Sequence, residues 1–157
     1  MEHVNTASDE DLHRILLSCL HSPRWSGRIA EHRPYPDLDS LLAAADEAAY
    51  DLTWPDLIEA LAAESLPPLP EDTYSAAHTA LSAAHAAYEA RFGHVFVICL
   101  DGVAPGEVLD RLLEAVRSRL TNDPEEERTV VADELRRLAR GRLLKCLRGA
   151  GNCAINH

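Results

Sequence analysis

One stretch of this chain spaces its proton-carrying side chains as a helix face does. Tyr74, His78, Leu81, His85 and Tyr88 follow one another at intervals of four, three, four and three, so a helix here carries two imidazoles and two phenols along one stripe. Imidazoles exchange protons near neutral pH and phenols hold or position them, which is the equipment of general acid and base catalysis on a bound small molecule. The same stripe also suits plain packing, with His and Tyr burying carbon and hydrogen-bonding at their tips. Two histidines seven residues apart bring no third ligand. The four cysteines, Cys19, Cys99, Cys146 and Cys153, form no Cys-x-x-Cys pair, so the residues point to neither a metal centre nor a redox dithiol.

A second feature follows that stripe. Arg91-Phe92-Gly93-His94-Val95-Phe96-Val97-Ile98-Cys99 is a short apolar β-type run bounded by Gly93 and by Asp101-Gly102, too short for a helix and unlike the rest of the chain. Extended backbone inside a helical protein leaves N–H and C=O groups to be satisfied. The backbone of Val97, Ile98, Cys99 and Leu100 is therefore a candidate to hold a small molecule, with His94 lining the pocket or packing beside it. Trp25 and Trp54 sit next to helix starts, where an aromatic most often fills core space. Trp25 and Tyr88 are also carried as ligand-contact candidates.

The elements that must position these residues are helices. Ser8 caps a helix over about 9–20, and Ser22-Pro23 starts a short one to about His32. Asp37 or Asp39 opens an alanine-rich helix to about Leu52, and Thr53-Trp54-Pro55-Asp56 starts another that ends near Glu64. Leu66-Pro67-Pro68-Leu69-Pro70 cannot be helical. A long helix follows from about Glu71 to Phe92, then one from Pro105 to about Leu120 and a last one from Asp123-Pro124 to about Leu147. Seven helices and one short extended segment make an all-α, single-domain bundle over 1–157, with 149–157 as a flexible tail.

At 157 residues and 46% hydrophobic the chain can bury a core, and a formal net charge of −11 argues against general nucleic-acid or anionic-membrane binding. No run approaches the roughly 18 apolar residues of a membrane span, and the first residues lack a signal pattern. The thiols read as those of a reduced, cytoplasmic protein. Acidic residues 123–127 and the basic Arg136, Arg137, Arg140, Arg142, Lys145 and Arg148 suit the two ends of the last helix dipole. Alanine-rich faces at 43–49 and 76–90 allow close helix approach, including a dimer contact.

Several stretches also carry a likeness to a known family. Cys19-x-x-Ser22-x-Arg24-Trp25, Arg33-Pro34, Asp39-Ser40-Leu41-Leu42-Ala43-Ala44-Ala45-Asp46, Tyr88-Glu89-Ala90-Arg91-Phe92-Gly93, Phe96-Val97-Ile98-Cys99, Arg119-Leu120-Thr121-Asn122-Asp123 with Glu127, and the Arg142-Leu143 ending stand in matching order. Over residues 5–147 the chain resembles the decarboxylases that act on 2-oxo-4-hydroxy-4-carboxy-5-ureidoimidazoline (OHCU) between urate and allantoin. The resemblance implies an all-α bundle, a homodimer, no cofactor, and backbone amides of the Phe96–Cys99 stretch contacting a planar heterocycle.

It also implies an altered catalytic centre. The position of the family's catalytic His, in an Ala-His-Pro motif, falls at Glu64, and the segment that carries its Ser-x-x-Glu-Gln motif is reduced to Pro67–Asp72. The arginine that follows the Phe-Val-Ile-Cys stretch falls at Asp101, and His85 and His94 stand where the family has Asn and an aromatic. Exchanging a cation for an anion at Asp101 disfavours a carboxylated substrate. Three readings follow. The preferred one is a diverged, cofactor-independent small-molecule enzyme, a biosynthetic lyase, cyclase or isomerase, that moves protons with Glu64 and one of His78, His85 or His94. The others are a decarboxylase of urate degradation giving (S)-allantoin, and a non-catalytic binding or scaffold protein.

Overall fold

The structure is a computed structural model that describes residues 2–66 and 75–149. The start of the long helix at Glu71, Tyr74, the shortened 67–72 segment and the tail beyond 149 lie outside the described residues. Among those described there are eight α-helices and no strand: α1 (Glu2–Thr6), α2 (Asp9–Cys19), α3 (Pro23–Glu31), α4 (Leu38–Tyr50), α5 (Trp54–Ala62), α6 (Ser75–Phe92), α7 (Val108–Leu120) and α8 (Pro124–Arg148). The all-α class is as the sequence indicates.

The helix starts are set by local chemistry. The Ser8 and Ser22 hydroxyls accept from the amides of Asp11 and Trp25, and the Asp37 carboxylate from Ser40, so Asp37 and not Asp39 is the cap. Thr53 and Asp56 close a reciprocal capping box at α5. At Pro105 the chain first makes one 3-10 turn, Pro105–Glu107, and becomes α-helical only at Val108, so that helix begins three residues later than the proline suggests.

The eighth helix, α1, is an addition to the seven. Five residues cannot hold a helix by propensity. Tertiary contacts hold it instead: Asn5 donates to the Tyr35 carbonyl at 2.9 Å and accepts from the Tyr35 amide at 2.8 Å, while Arg33 Nη1 caps the Ala7 carbonyl at 2.6 Å.

Two apolar cores result. The larger is built from α1 to α5 and α8, and includes Leu12, Leu16, Trp25, Leu41, Leu61, Val131, Leu135 and Leu143. The smaller lies between α6 and α7 around Leu81, Tyr88, Leu112 and Val116. The segment after Gly93 runs between them, and its side chains alternate as extended backbone requires. Val95 and Val97 pack into the larger core, whereas Phe96, Ile98 and Leu100 pack into the smaller. This run is therefore a seam that joins two helical bodies. Gly93, at φ 82°, makes the turn out of α6 that lets the seam begin.

Candidate functional site

The seam's polar groups are partnered in an uneven way. Arg119, buried on α7, donates through Nη1 to the Val97 carbonyl at 2.6 Å and through Nε and Nη2 to Glu127 Oε2 at 2.9 and 2.6 Å. Glu127, fully buried on α8, also accepts from the Tyr88 hydroxyl and from Asn122 Nδ2. The Tyr88 hydroxyl is held well above its ordinary pKa, by burial first and then by the Glu127 acceptor, so it stays a donor. Further along, Glu134 on α8 accepts from the Cys99 amide at 3.3 Å, and the Leu100 carbonyl accepts from Val103. Among the described residues, none hydrogen-bonds to the N–H or C=O of Ile98.

Beside Ile98 opens a cavity of about 250 Å³, walled by the seam residues Phe96, Val97, Ile98, Leu100 and Asp101, by Leu138 and Arg142 of α8, and by Glu64, Ser65 and Leu66 just past α5. A neighbouring cavity of about 320 Å³ shares Glu64, Ser65 and Arg142 as a wall and continues to Cys19 and His21. At this shared wall Arg142 grips Glu64 with both ends of its guanidinium, Nη1 to Oε2 at 2.8 Å and Nη2 to Oε1 at 2.9 Å. Nη1 donates also to the Cys19 carbonyl at 3.0 Å. The Glu64 side chain is 8% exposed and that of Arg142 36%. Hydrogen bonding to Glu64, against the opposing effect of burial, raises the Arg142 guanidinium further above its ordinary value.

The other sequence candidates divide into three groups. Tyr88, His85 and His94 form a ring cluster behind Phe96. Phe96 meets Tyr88 edge-on at 5.1 Å and His85 at 5.6 Å, and His94 lies 5.6 Å from Tyr88 and 5.7 Å from Trp54. His85 is buried with no partner for Nε2 among the described residues, and burial lowers its pKa, favouring the neutral ring. His94 Nδ1 lies 3.0 Å from the Val95 carbonyl, the geometry of an N–H donor. Asp101 stands half-exposed in the cavity wall, 3.6 Å from Lys145, whereas Cys99, whose thiol pKa is pushed up by burial, is not among the residues that line the cavity. Trp25 and His78 are not brought to the cavity. Trp25 is fully buried in the larger core, its indole N–H on the Ala45 carbonyl at 3.0 Å, and His78 is exposed on α6.

Sequence reading missed Arg142, Arg119 and Glu127 as site-builders. Arg142 is one cation among six near the end of α8 and reads as a dipole partner; its real partner is 78 residues away in sequence. The available signal was the family likeness, which includes Arg119, Glu127 and the Arg142-Leu143 ending.

Three comparisons bear on this arrangement. The family model for OHCU decarboxylase matches residues 5–76 and 69–144. No curated protein matches. Among solved structures, the crystal structure of (S)-allantoin synthase superposes with a TM-score of 0.72 at 19% identity over 92% of this chain and 52% of that one. The crystal structure of OHCU decarboxylase in the presence of (S)-allantoin superposes with a TM-score of 0.71 at 22% identity, over 88% of this chain and 97% of that one. The chain thus spans about half the length of the allantoin synthase chain and nearly all of the decarboxylase; at these identities the likeness concerns the fold.

Proposed function

From the premise that this chain belongs to the OHCU decarboxylase family, which the family match over most of its length shows, we propose that it is a diverged small-molecule enzyme acting by proton transfer. The observation that carries this reading is the Glu64 carboxylate, fixed by Arg142 in the wall of a cavity that Ile98 also lines, its backbone without a hydrogen-bond partner among the described residues. A planar polar ligand seated on Ile98 would lie against Glu64. The carboxylate takes a proton from a C–H or N–H acid of the ligand and returns it at another atom, which is the common step of lyase, cyclase and isomerase chemistry. Arg142 orients the carboxylate throughout. Of the three histidines, His85 is the one whose buried Nε2 lacks a partner among the described residues, and its ring lies 5.6 Å from Phe96 of the cavity wall, which makes it the second proton carrier of this reading. No cofactor enters this reading.

The alternative, OHCU decarboxylation, draws on the family and on the fold shared with the OHCU decarboxylase crystallised in the presence of (S)-allantoin. The scaffold reading draws on Glu64 being fully engaged by Arg142.

One experiment separates them. Freshly generated ureidoimidazoline and a set of neutral cyclic ureides are incubated with the protein in deuterated buffer and followed by NMR, with allantoin chirality read in parallel. Exchange or conversion of a ureide that Glu64→Gln abolishes supports the proposal. Enantioselective allantoin from ureidoimidazoline moves the chain to the alternative. Absence of both, with folded protein, leaves the scaffold.

A further inference from the structure

The geometry points to Glu64 as a built-in carboxylate ligand: it occupies the guanidinium fork of Arg142 as a substrate carboxylate would, and thereby restricts the cavity to ligands that are uncharged where they face Arg142. Resting on the proposed function, this names the ligand class of the same site. A guanidinium binds one carboxylate in two parallel N–H···O bonds, and those positions are filled by Glu64 Oε1 and Oε2 at 2.9 and 2.8 Å. Nη1 has in addition the Cys19 carbonyl at 3.0 Å. Among the described residues lining the 250 Å³ cavity, Arg142 is the only cation. The other charge on that wall is the carboxylate of Asp101, whose own neighbour Lys145 is largely exposed. An incoming carboxylate therefore finds no free cation and two anions. It must evict Glu64, whose side chain would remain in the wall without its counter-charge.

The converse is also fixed by the geometry. Shortening Glu64 to Ala leaves Arg142 anchored by Cys19 and facing the two cavities with an empty fork, which a small carboxylate can fill from either side. The test is a thermal-unfolding titration of the full chain with sodium acetate against sodium chloride at equal ionic strength, for the wild type, Glu64→Ala and Glu64→Ala/Arg142→Met. The expected result is acetate-specific stabilisation of Glu64→Ala alone, with an apparent affinity at least about tenfold above that of the wild type. If Glu64→Ala is unfolded in chloride, acetate is expected to restore its folding, and failure to do so overturns the inference. Equal acetate response in wild type and Glu64→Ala, or a response that persists in the double variant, also overturns it. Because acetate binding is read without turnover, a chain with no enzymatic activity would sink the proposed function and leave this result standing on its own.

Discussion

Phe96 and Val97, neighbours in the chain, are buried in different cores: Phe96 against Leu81, Tyr88, Leu112 and Val116, Val97 against the body built on α8. The single extended segment is thus a shared wall of both helical bodies, and the candidate site opens along its length.

This arrangement sends the two side chains into different cores. Phe96→Ala is expected to cost about 3–5 kcal/mol, and Val97→Ala about 1.5–3 kcal/mol. Their sum should match the double variant within about 0.5 kcal/mol if the two cores act separately, since the side chains enter different clusters. Urea unfolding of the three variants checks this; a large coupling would mean that the cores act as one.

Arg119 and Glu127 hold the seam to α7 and α8 from inside. Arg119→Met leaves Glu127 buried without its counter-charge and is expected to cost about 3–5 kcal/mol, whereas Tyr88→Phe, which removes one neutral donor, should cost about 1 kcal/mol. Denaturant midpoints decide the order, and a mild Arg119→Met would show that the buried network contributes little.

His85 gives a pH dependence. Burial holds its folded pKa below the ordinary imidazole value of about 6.5. As pH falls through about 6.5 the unfolded chain takes up a proton that the folded chain refuses, so stability is full above that value and declines below it until the folded pKa is reached. His85→Phe should flatten the decline between pH 7 and 5 in urea titrations. An unchanged slope would assign the effect to other groups.

Two glycines should respond in opposite directions. Gly93 has φ 82°, so Gly93→Ala is expected to destabilise by about 1–2 kcal/mol. Gly27 lies inside α3, and nothing stands within 4 Å of an added Cβ, so Gly27→Ala should stabilise by up to about 1 kcal/mol. Thermal midpoints of the pair test the backbone assignment directly.

Helix starts were legible because a cap is a local object. Ser8, Ser22, Asp37 and Thr53 each bond an amide three residues on, and a reader of the sequence sees both partners together. The unusual character of the Val95–Leu100 stretch was legible for a similar reason, as a break from helical periodicity. What it touches was not. Part of its backbone is completed by protein side chains, Arg119 taking the Val97 carbonyl and Glu134 the Cys99 amide, while Ile98 has no hydrogen-bond partner among the described residues.

The site itself was half legible. Glu64 was singled out by its place in the family pattern, and it lines the cavity. Its pairing with Arg142 spans 78 residues and leaves no periodic trace, so α8 read as a polar helix with a basic end. His78 and His85 looked equivalent on one stripe, yet one is exposed and the other buried. Which part of a helical stripe is covered depends on the element that packs on it, and here that element is the seam.

The long helix α8 carries Glu127 for Arg119, Glu134 for the Cys99 amide, Leu138 for the cavity wall and Arg142 for Glu64, strung over 16 residues or roughly 22 Å of one continuous rod. Such a rod behaves as a ruler. Its letters can change wherever they face water, but its count cannot, because one residue inserted between Glu134 and Arg142 turns the guanidinium about 100° and carries it about 1.5 Å along the axis. The register of α8 thus tolerates substitution but not insertion or deletion between its first anchor and its last, a constraint that the loops do not share.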